Sequence, residues 1–180
     1  NEASAHGPMY GHAFATLALS ESFGEVSSDK AQRVLCNAAA LIQKSQNDVG
    51  GWRYKPIPGD ADLSVTSAML IALRSLSIAG IEVQEEVPQK AIAYIERLQN
   101  EDGGFRYLLE AGPSGAPRTA AALFTLQLAG VEGVVVKNGF RWLDQHPLRL
   151  NSDDGYAMYG LSYSAAAHYQ RLLSTHGKNA

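Results

Sequence analysis

The chain has 180 residues, the length of one ordinary domain and enough to bury a core without disulfides or a structural metal. Hydrophobic residues make up 46% and charged residues 18%, against about 25% charged in typical proteins, which excludes wholesale disorder and indicates much buried or interface surface. The net charge is −3 and no basic stretch stands out, so nucleic acid is not expected as a partner.

The predicted elements are all helices. Apolar residues recur at helical spacing in seven segments, near 9–22, 29–45, 64–79, 86–99, 117–129, 137–145 and 158–175. Three valines at 134–136 are the best strand signal, but they occupy the position where an outer helix is about to begin. The sequence therefore predicts an all-α fold.

The helices are of two kinds that alternate along the chain. The segments near 29–45 and 86–99 are amphipathic, as helices on an outer layer should be. The segments at 66–80 and 118–130 are apolar nearly all round and rich in alanine. A helix that is apolar on all sides is buried on all sides, so these are predicted to be inner helices.

Several residues mark the helix ends. Asp29, with Gln32 three residues later, resembles a capping box at the start of the second helix. Gly80 and Gly130 follow the two apolar helices, where a left-handed residue commonly ends a helix.

The sequence repeats itself. QNDVGGWRY at 46–54 returns as QNEDGGFRY at 99–107, a shift of 53 residues, and NSDDGYAMYG at 151–160 is a weaker third copy. The tripeptide MYG at 9–11 returns at 158–160. The chain thus contains about three and a half copies of a helix-pair unit of roughly 50 residues.

The repeated turn has the pattern Gln-x-x-x-Gly-x-aromatic, formed by Gln46, Gly50 and Trp52 and again by Gln99, Gly103 and Phe105. This pattern resembles the Q-x-x-x-G-x-W signature of the squalene-cyclase and prenyltransferase repeat superfamily. The sequence around this pattern resembles that of uncharacterised bacterial proteins that carry the repeat rather than that of a named enzyme. The resemblance implies an α/α toroid of inner and outer helices, here a partial one of about seven helices.

The motif also has a direct physical interpretation. The Gln46 amide can bridge carbonyls left open at the end of an outer helix. Gly50 permits a chain reversal, and Trp52 can then cover the helix end as an apolar plug whose indole N–H needs one acceptor. We expect all six motif residues to be structural.

The stretch after the first turn holds the candidate catalytic residues, Asp60 and Asp62. It resembles the D-x-D-D-T-A motif of squalene–hopene-type triterpene cyclases, whose middle aspartate protonates an alkene. Leu63 replaces the third acid and Ser64 the threonine, which weakens the likeness. The alternative is a structural role, in which Asp62 or Ser64 caps the next helix and Asp60 stabilises the loop.

No metal and no cofactor are predicted. The zinc site of protein prenyltransferases would need a cysteine two residues after Asp62 and a histidine near Arg118, and neither is present. The thioester motif of related toroids is missing too, and the single cysteine, Cys36, lies in an outer helix. The histidines show no metal-ligand spacing: His6, His12, His146, His168 and His176.

Repeated or inward-facing polar residues are the candidate ligand-binding set: Tyr10, His12, Arg53, Tyr54, Arg106, Tyr107 and Arg118. Arginine and tyrosine are favoured at binding surfaces. The same repetition is also compatible with packing, in which each arginine lies over an aromatic ring as a cation–π partner.

Three functions remain open. The first is a non-catalytic toroid module that binds a ligand or protein partner. The second is a terpene-cyclase-like or prenyltransferase-like enzyme that acts on an isoprenoid chain with Asp62 as general acid, and the third is a structural spacer. Inner-helix aromatics, which would favour the enzyme, are few: Phe14, Phe124, Tyr159 and Tyr163.

We expect residues 1–180 to be a single repeat domain of a longer protein. Its first and last helices are apolar over much of their surface, so we expect them to pack on each other or to face a neighbour. That neighbour would be a second copy or the remaining repeats of the parent chain. No apolar run approaches the roughly 20 residues of a membrane span, and localisation cannot be predicted.

Overall fold

The computed structural model describes residues 7–24, 28–149 and 156–176. These residues form α1 (Pro8–Ser22), α2 (Asp29–Ser45), α3 (Leu63–Ile78), α4 (Glu86–Glu96), α5 (Ala116–Leu128), α6 (Val134–Gln145) and α7 (Ala157–His176). The described ranges contain no strand beyond one isolated bridge between Gln99 and Phe105. The predicted all-α class with seven helices is confirmed.

Two predicted helix bounds were wrong by three residues. α4 ends at Glu96 rather than near residue 99, because the chain turns there and the Leu98 N–H already donates to the Ile95 carbonyl in a tighter pattern. α6 begins at Val134 rather than near residue 137, because Gly133, with φ of 104°, redirects the chain directly before the valines. The other five helices begin and end within one residue of the prediction.

The predicted cap of α2 was also wrong by one residue. Ser28 has extended backbone angles, and its hydroxyl accepts the Ala31 N–H at 3.2 Å, so Ser28 is the N-cap. Asp29 is instead the first helical residue, where its charge favours the helix dipole. Gly80 and Gly130 both have φ of 79° just after α3 and α5, as predicted.

The chain divides into two compact units, which meet in sequence between Tyr94 and Ile95. In the first unit α1 packs beside α3, and α2 contacts both. Ten of the sixteen residues of α3 are buried, as predicted for an inner helix.

In the second unit α5 packs beside α7, and α6 contacts α5. The core of this unit is a cluster of buried residues from these three helices: Ala120, Leu123, Phe140, Leu143 and Ala167. Within the described ranges, no helix combines the length and the hydropathy that crossing a membrane requires.

Candidate functional site

The first Gln-Gly-aromatic turn joins two outer helices. The Gln46 Nε2 donates to the Gly50 carbonyl inside the turn and to the Val87 carbonyl in the first turn of α4, both at 2.9 Å. One amide therefore uses both of its hydrogens to link the end of α2 to the start of α4.

Gly50 and Trp52 make this junction tight. Gly50 has φ of 97°, and a Cβ built there would overlap the Lys90 carbonyl oxygen of α4. Trp52 is 1% exposed, and its indole N–H donates to the Ile42 carbonyl at 2.8 Å. Its backbone N–H donates to the Thr66 hydroxyl oxygen at 3.1 Å, which fixes the turn against α3.

The second turn repeats these contacts with a shift of 53 residues. The Gln99 Nε2 donates to the Gly103 carbonyl at 3.0 Å and to the Val135 carbonyl of α6 at 2.8 Å. The backbone N–H of Phe105 donates to the Thr119 hydroxyl oxygen at 2.9 Å. The two turns thus share the same glutamine and threonine hydrogen bonds.

A carboxylate in the second turn, Asp102, accepts an indole N–H from α6. The Trp142 Nε1 donates to Asp102 at 2.9 Å, and the Ser114 hydroxyl and the Gly104 N–H donate to the other carboxylate oxygen at 2.7 and 2.9 Å. Burial acts to raise the pKa of Asp102, but these hydrogen bonds and the nearby His146 outweigh it, so the pKa lies below its ordinary value.

The lowered pKa of Asp102 predicts an acid-dependent loss of stability. Its contribution is fully present above pH 3.8, the ordinary carboxyl value, and is lost as the pH falls through the lower folded pKa. We expect Asp102→Asn to lower the free energy of unfolding only slightly at neutral pH, because the carboxylate is largely exposed. In strong acid the carboxylate is protonated, so the substitution should cause no loss. Urea melts at both pH values measure this, with the exposed Asp48→Asn as the matched control; equal losses at both pH values would contradict it.

Asp62 is the N-cap of α3. Its Oδ1 accepts the Val65 N–H at 2.9 Å and the Ser64 hydroxyl at 2.6 Å, and the residue is fully buried. Arg53 faces both acids, with Nε 3.7 Å from the Asp62 Oδ2 and Nη1 2.5 Å from the Asp60 Oδ2. Donors from the helix start and a guanidinium both stabilise the ionised carboxylate.

The second repeat has no counterpart of the acids. Pro113 and Gly115 stand at the positions of Asp60 and Asp62, and Gly115 starts α5 without a side-chain cap. The Arg118 Nη2 donates to the Pro113 carbonyl at 3.2 Å, so Arg118 ties this loop to α5. Because the turn forms equally well without the acids, Asp60 and Asp62 are a feature of the first unit alone.

Three rings form an aromatic cluster beside the acids. The Tyr10 ring lies 6.3 Å from Phe14, nearly parallel at 7°, and 6.3 Å from Tyr54. The Arg53 guanidinium lies 5.3 Å from the centre of the Tyr54 ring, as the cation–π alternative predicts. Phe14 is 50% exposed, so the cluster reaches the surface.

The structure brings together the five predicted site residues Tyr10, Arg53, Tyr54, Asp60 and Asp62 in the first unit. We call these five residues, together with Phe14, the first-unit site.

His12 is not among them, because its Nε2 lies 3.3 Å from the Ala38 carbonyl of α2, on the side of α1 away from Tyr10.

The second-unit arginine does not form an equivalent site. Arg106 donates to the Arg97 and Gln99 carbonyls and to the Asn100 side chain, so it covers the open end of α4. Tyr107 is half-buried next to it.

The second unit has its own ring cluster on α5 and α7. Tyr163 lies 5.8 Å from Phe124 and 4.7 Å from Tyr159. Burial raises the pKa of the Tyr163 hydroxyl, although a hydrogen bond with Tyr159 partly offsets this. In the described part of the chain, no group of three or more His, Cys, Asp or Glu side chains is placed to hold a metal ion.

Sequence reasoning assigned no role to the Asn and Thr of the repeat. Asn47 closes the first turn through backbone and side-chain hydrogen bonds to Gly51, and Asn100 occupies the same place in the second turn. Thr66 and Thr119 hold the aromatic residues of both turns. The signal was present, since both residue types recur at the shift of 53.

Comparison with known proteins gives one informative similarity. No family model matches the chain. Over 125 residues, 63% of the chain, it is 29% identical to the squalene–hopene cyclase of Bradyrhizobium diazoefficiens. The chain spans 18% of the length of that cyclase. The similarity supports a distant relation to terpenoid-cyclase-like proteins.

Proposed function

We propose that this chain is a non-catalytic repeat module of the α/α-toroid type, which binds a ligand or a protein partner at the first-unit site. We also propose that it acts as a single repeat domain within a longer protein. Its similarity to a segment of a much longer cyclase supports the second of these proposals.

The hydrogen bonds and the ion pair of Asp62 are the main support for a non-catalytic module. An acid that protonates an alkene must hold its proton before the reaction and present it to the substrate. The Oδ1 of Asp62 instead accepts two hydrogen bonds at the start of α3, the Oδ2 faces Arg53, and the side chain is fully buried. These contacts favour an ionised capping group.

The aromatic side of the first-unit site supports binding. Phe14 is half exposed and stacks on Tyr10, so a ligand could cover apolar ring surface there. Arg53 is 28% exposed, and the Asp60 carboxylate paired with it is 71% exposed. Apolar surface next to a partly exposed ion pair is typical of a recognition site.

The similarity to a squalene–hopene cyclase favours a second candidate, a cyclase-like or prenyltransferase-like enzyme that acts on an isoprenoid chain. In this alternative Asp62 is the general acid, and Asp60 and Arg53 tune it.

Two substitutions of Asp62 separate the candidates, because asparagine caps a helix as well as aspartate but cannot donate a carboxyl proton. We expect the native chain, incubated with squalene in detergent micelles, to form no cyclic product detectable by gas chromatography. We expect Asp62→Ala to lower the free energy of unfolding by about 0.5–2 kcal/mol and Asp62→Asn by less. Product formed by the native chain and lost in a folded Asp62→Asn variant would replace the binding proposal with the enzyme.

A further inference from the structure

The last inner helix exposes a regular and mostly apolar stripe. Met158 is 72% exposed, Tyr169 61% and Leu172 57%. Ser162 and Ala165 lie exposed between them. The spacing of four, three, four and three residues places all five on one face of α7, as in the seam of two packed helices.

The same stripe is covered in α1. When the two MYG tripeptides are aligned, the first four residues of the α7 stripe fall on a set of α1 residues that are 1–5% exposed: Met9, Ala13, Thr16 and Ser20. The fifth, Leu172, falls on Phe23, the half-buried residue that ends α1. This is the face that α1 packs beside α3, where the Ser20 hydroxyl donates to the Ser75 hydroxyl at 2.7 Å. The α7 stripe therefore corresponds to a face that receives another inner helix.

One other inner helix of the described chain has an open face. Apart from Ile78, neither α3 nor α5 exposes a large apolar side chain. α1 does have an open side, where Gly11, Ala15 and Ala18 are exposed at spacings of four and three residues and Phe14 is exposed among them. A Cβ built on Gly11 would meet nothing within 4 Å, so a neighbouring helix could approach closely there.

We propose that a second copy of this chain covers the α7 stripe with the exposed side of its α1. Each copy carries one face of each kind, and the two faces differ: the α7 stripe ends in large side chains, and the α1 side presents small residues around a single large ring, Phe14. The interface is therefore head-to-tail, with α7 of one copy against α1 of the next, and it repeats the side-by-side packing of inner helices seen within each unit. The association does not require the first-unit site to bind a ligand, but the second copy would cover the Phe14 ring of that site.

Sedimentation of the purified chain tests this association. We expect the average mass to rise at least twofold between low and high micromolar concentration. Leu172→Glu should keep the mass of one chain throughout, and Ala18→Glu should do the same from the other face. Ile78→Glu, the same type of change on an exposed residue of α3, should associate like the native chain. Circular dichroism verifies that each variant is folded.

Mixing the Leu172→Glu and Ala18→Glu variants tests whether the interface is head-to-tail. The Leu172→Glu variant keeps its α1 side and the Ala18→Glu variant keeps its α7 stripe, so the mixture should form a complex of two chains although each variant alone is monomeric. A native chain that stays monomeric at every concentration would overturn the proposal. So would an Ala18→Glu variant that associates by itself, since the α7 stripe would then pair with its own copy or with another surface.

Discussion

Trp52→Ala should lower the free energy of unfolding by about 3–5 kcal/mol, the range for removing a large buried aromatic side chain. The ring is 1% exposed, and its loss leaves a cavity between the turn and α2. The Ile42 carbonyl would also lose its indole donor. Urea unfolding followed by circular dichroism measures the change.

The second repeat supplies the matched control, because it uses phenylalanine at this place. Trp52→Phe should keep most of the packing and lose the indole hydrogen bond, at a cost of about 1–3 kcal/mol. Phe105→Ala should cost about as much as Trp52→Ala, since Phe105 is fully buried in the equivalent turn. A loss below about 1 kcal/mol for both alanine variants would show that these rings do not support the fold.

Gly50→Ala should be similarly damaging, at roughly 2–6 kcal/mol, for a different reason. A side chain disfavours φ of 97°, which costs roughly 1–3 kcal/mol, and the new Cβ would overlap the Lys90 carbonyl, which adds an overpacking cost of similar size. Because the obstacle is backbone, it can be relieved only by moving α4.

Gly80→Ala separates the two causes of that loss. Gly80 also has a positive φ, of 79°, but a Cβ there would meet nothing within 4 Å. Its loss should therefore be limited to about 1–2 kcal/mol of backbone strain. Equal losses for the two variants in urea melts would mean that the contact between the turn and α4 contributes nothing.

The sequence predicted what repetition and periodicity control. The shift of 53 located both turns, and the all-round apolar character of α3 correctly placed it in an inner layer. The missed start of α6 follows from the backbone angle of Gly133, and the missed end of α4 is linked to a contact from outside the helix. Arg106 donates a hydrogen bond to the Arg97 carbonyl from the far side of the turn, and the residues around Arg97 contain no pattern that predicts this bond.

The candidate site was predictable only in part, because its members come from separate segments. Sequence proximity grouped Tyr10 with His12, but two residues along a helix point to nearly opposite sides, and only Tyr10 reaches Tyr54. Conversely, Arg53 and Arg106 are equivalent in the repeat yet have different partners. An acidic loop follows the first and a proline and a glycine follow the second, so only Arg53 has carboxylates to face.

The glutamine bridges have a consequence for how the chain is made. Gln46 bonds to a residue 41 positions later, and Gln99 to one 36 positions later. During synthesis the glutamine side-chain amide of each turn therefore remains hydrated until the following outer helix has emerged from the ribosome. At a synthesis rate of about 5–20 residues per second, that interval is several seconds. We expect nascent chains stalled before Val87 to be cleaved readily by protease near residue 50, and chains stalled well after it to resist cleavage there.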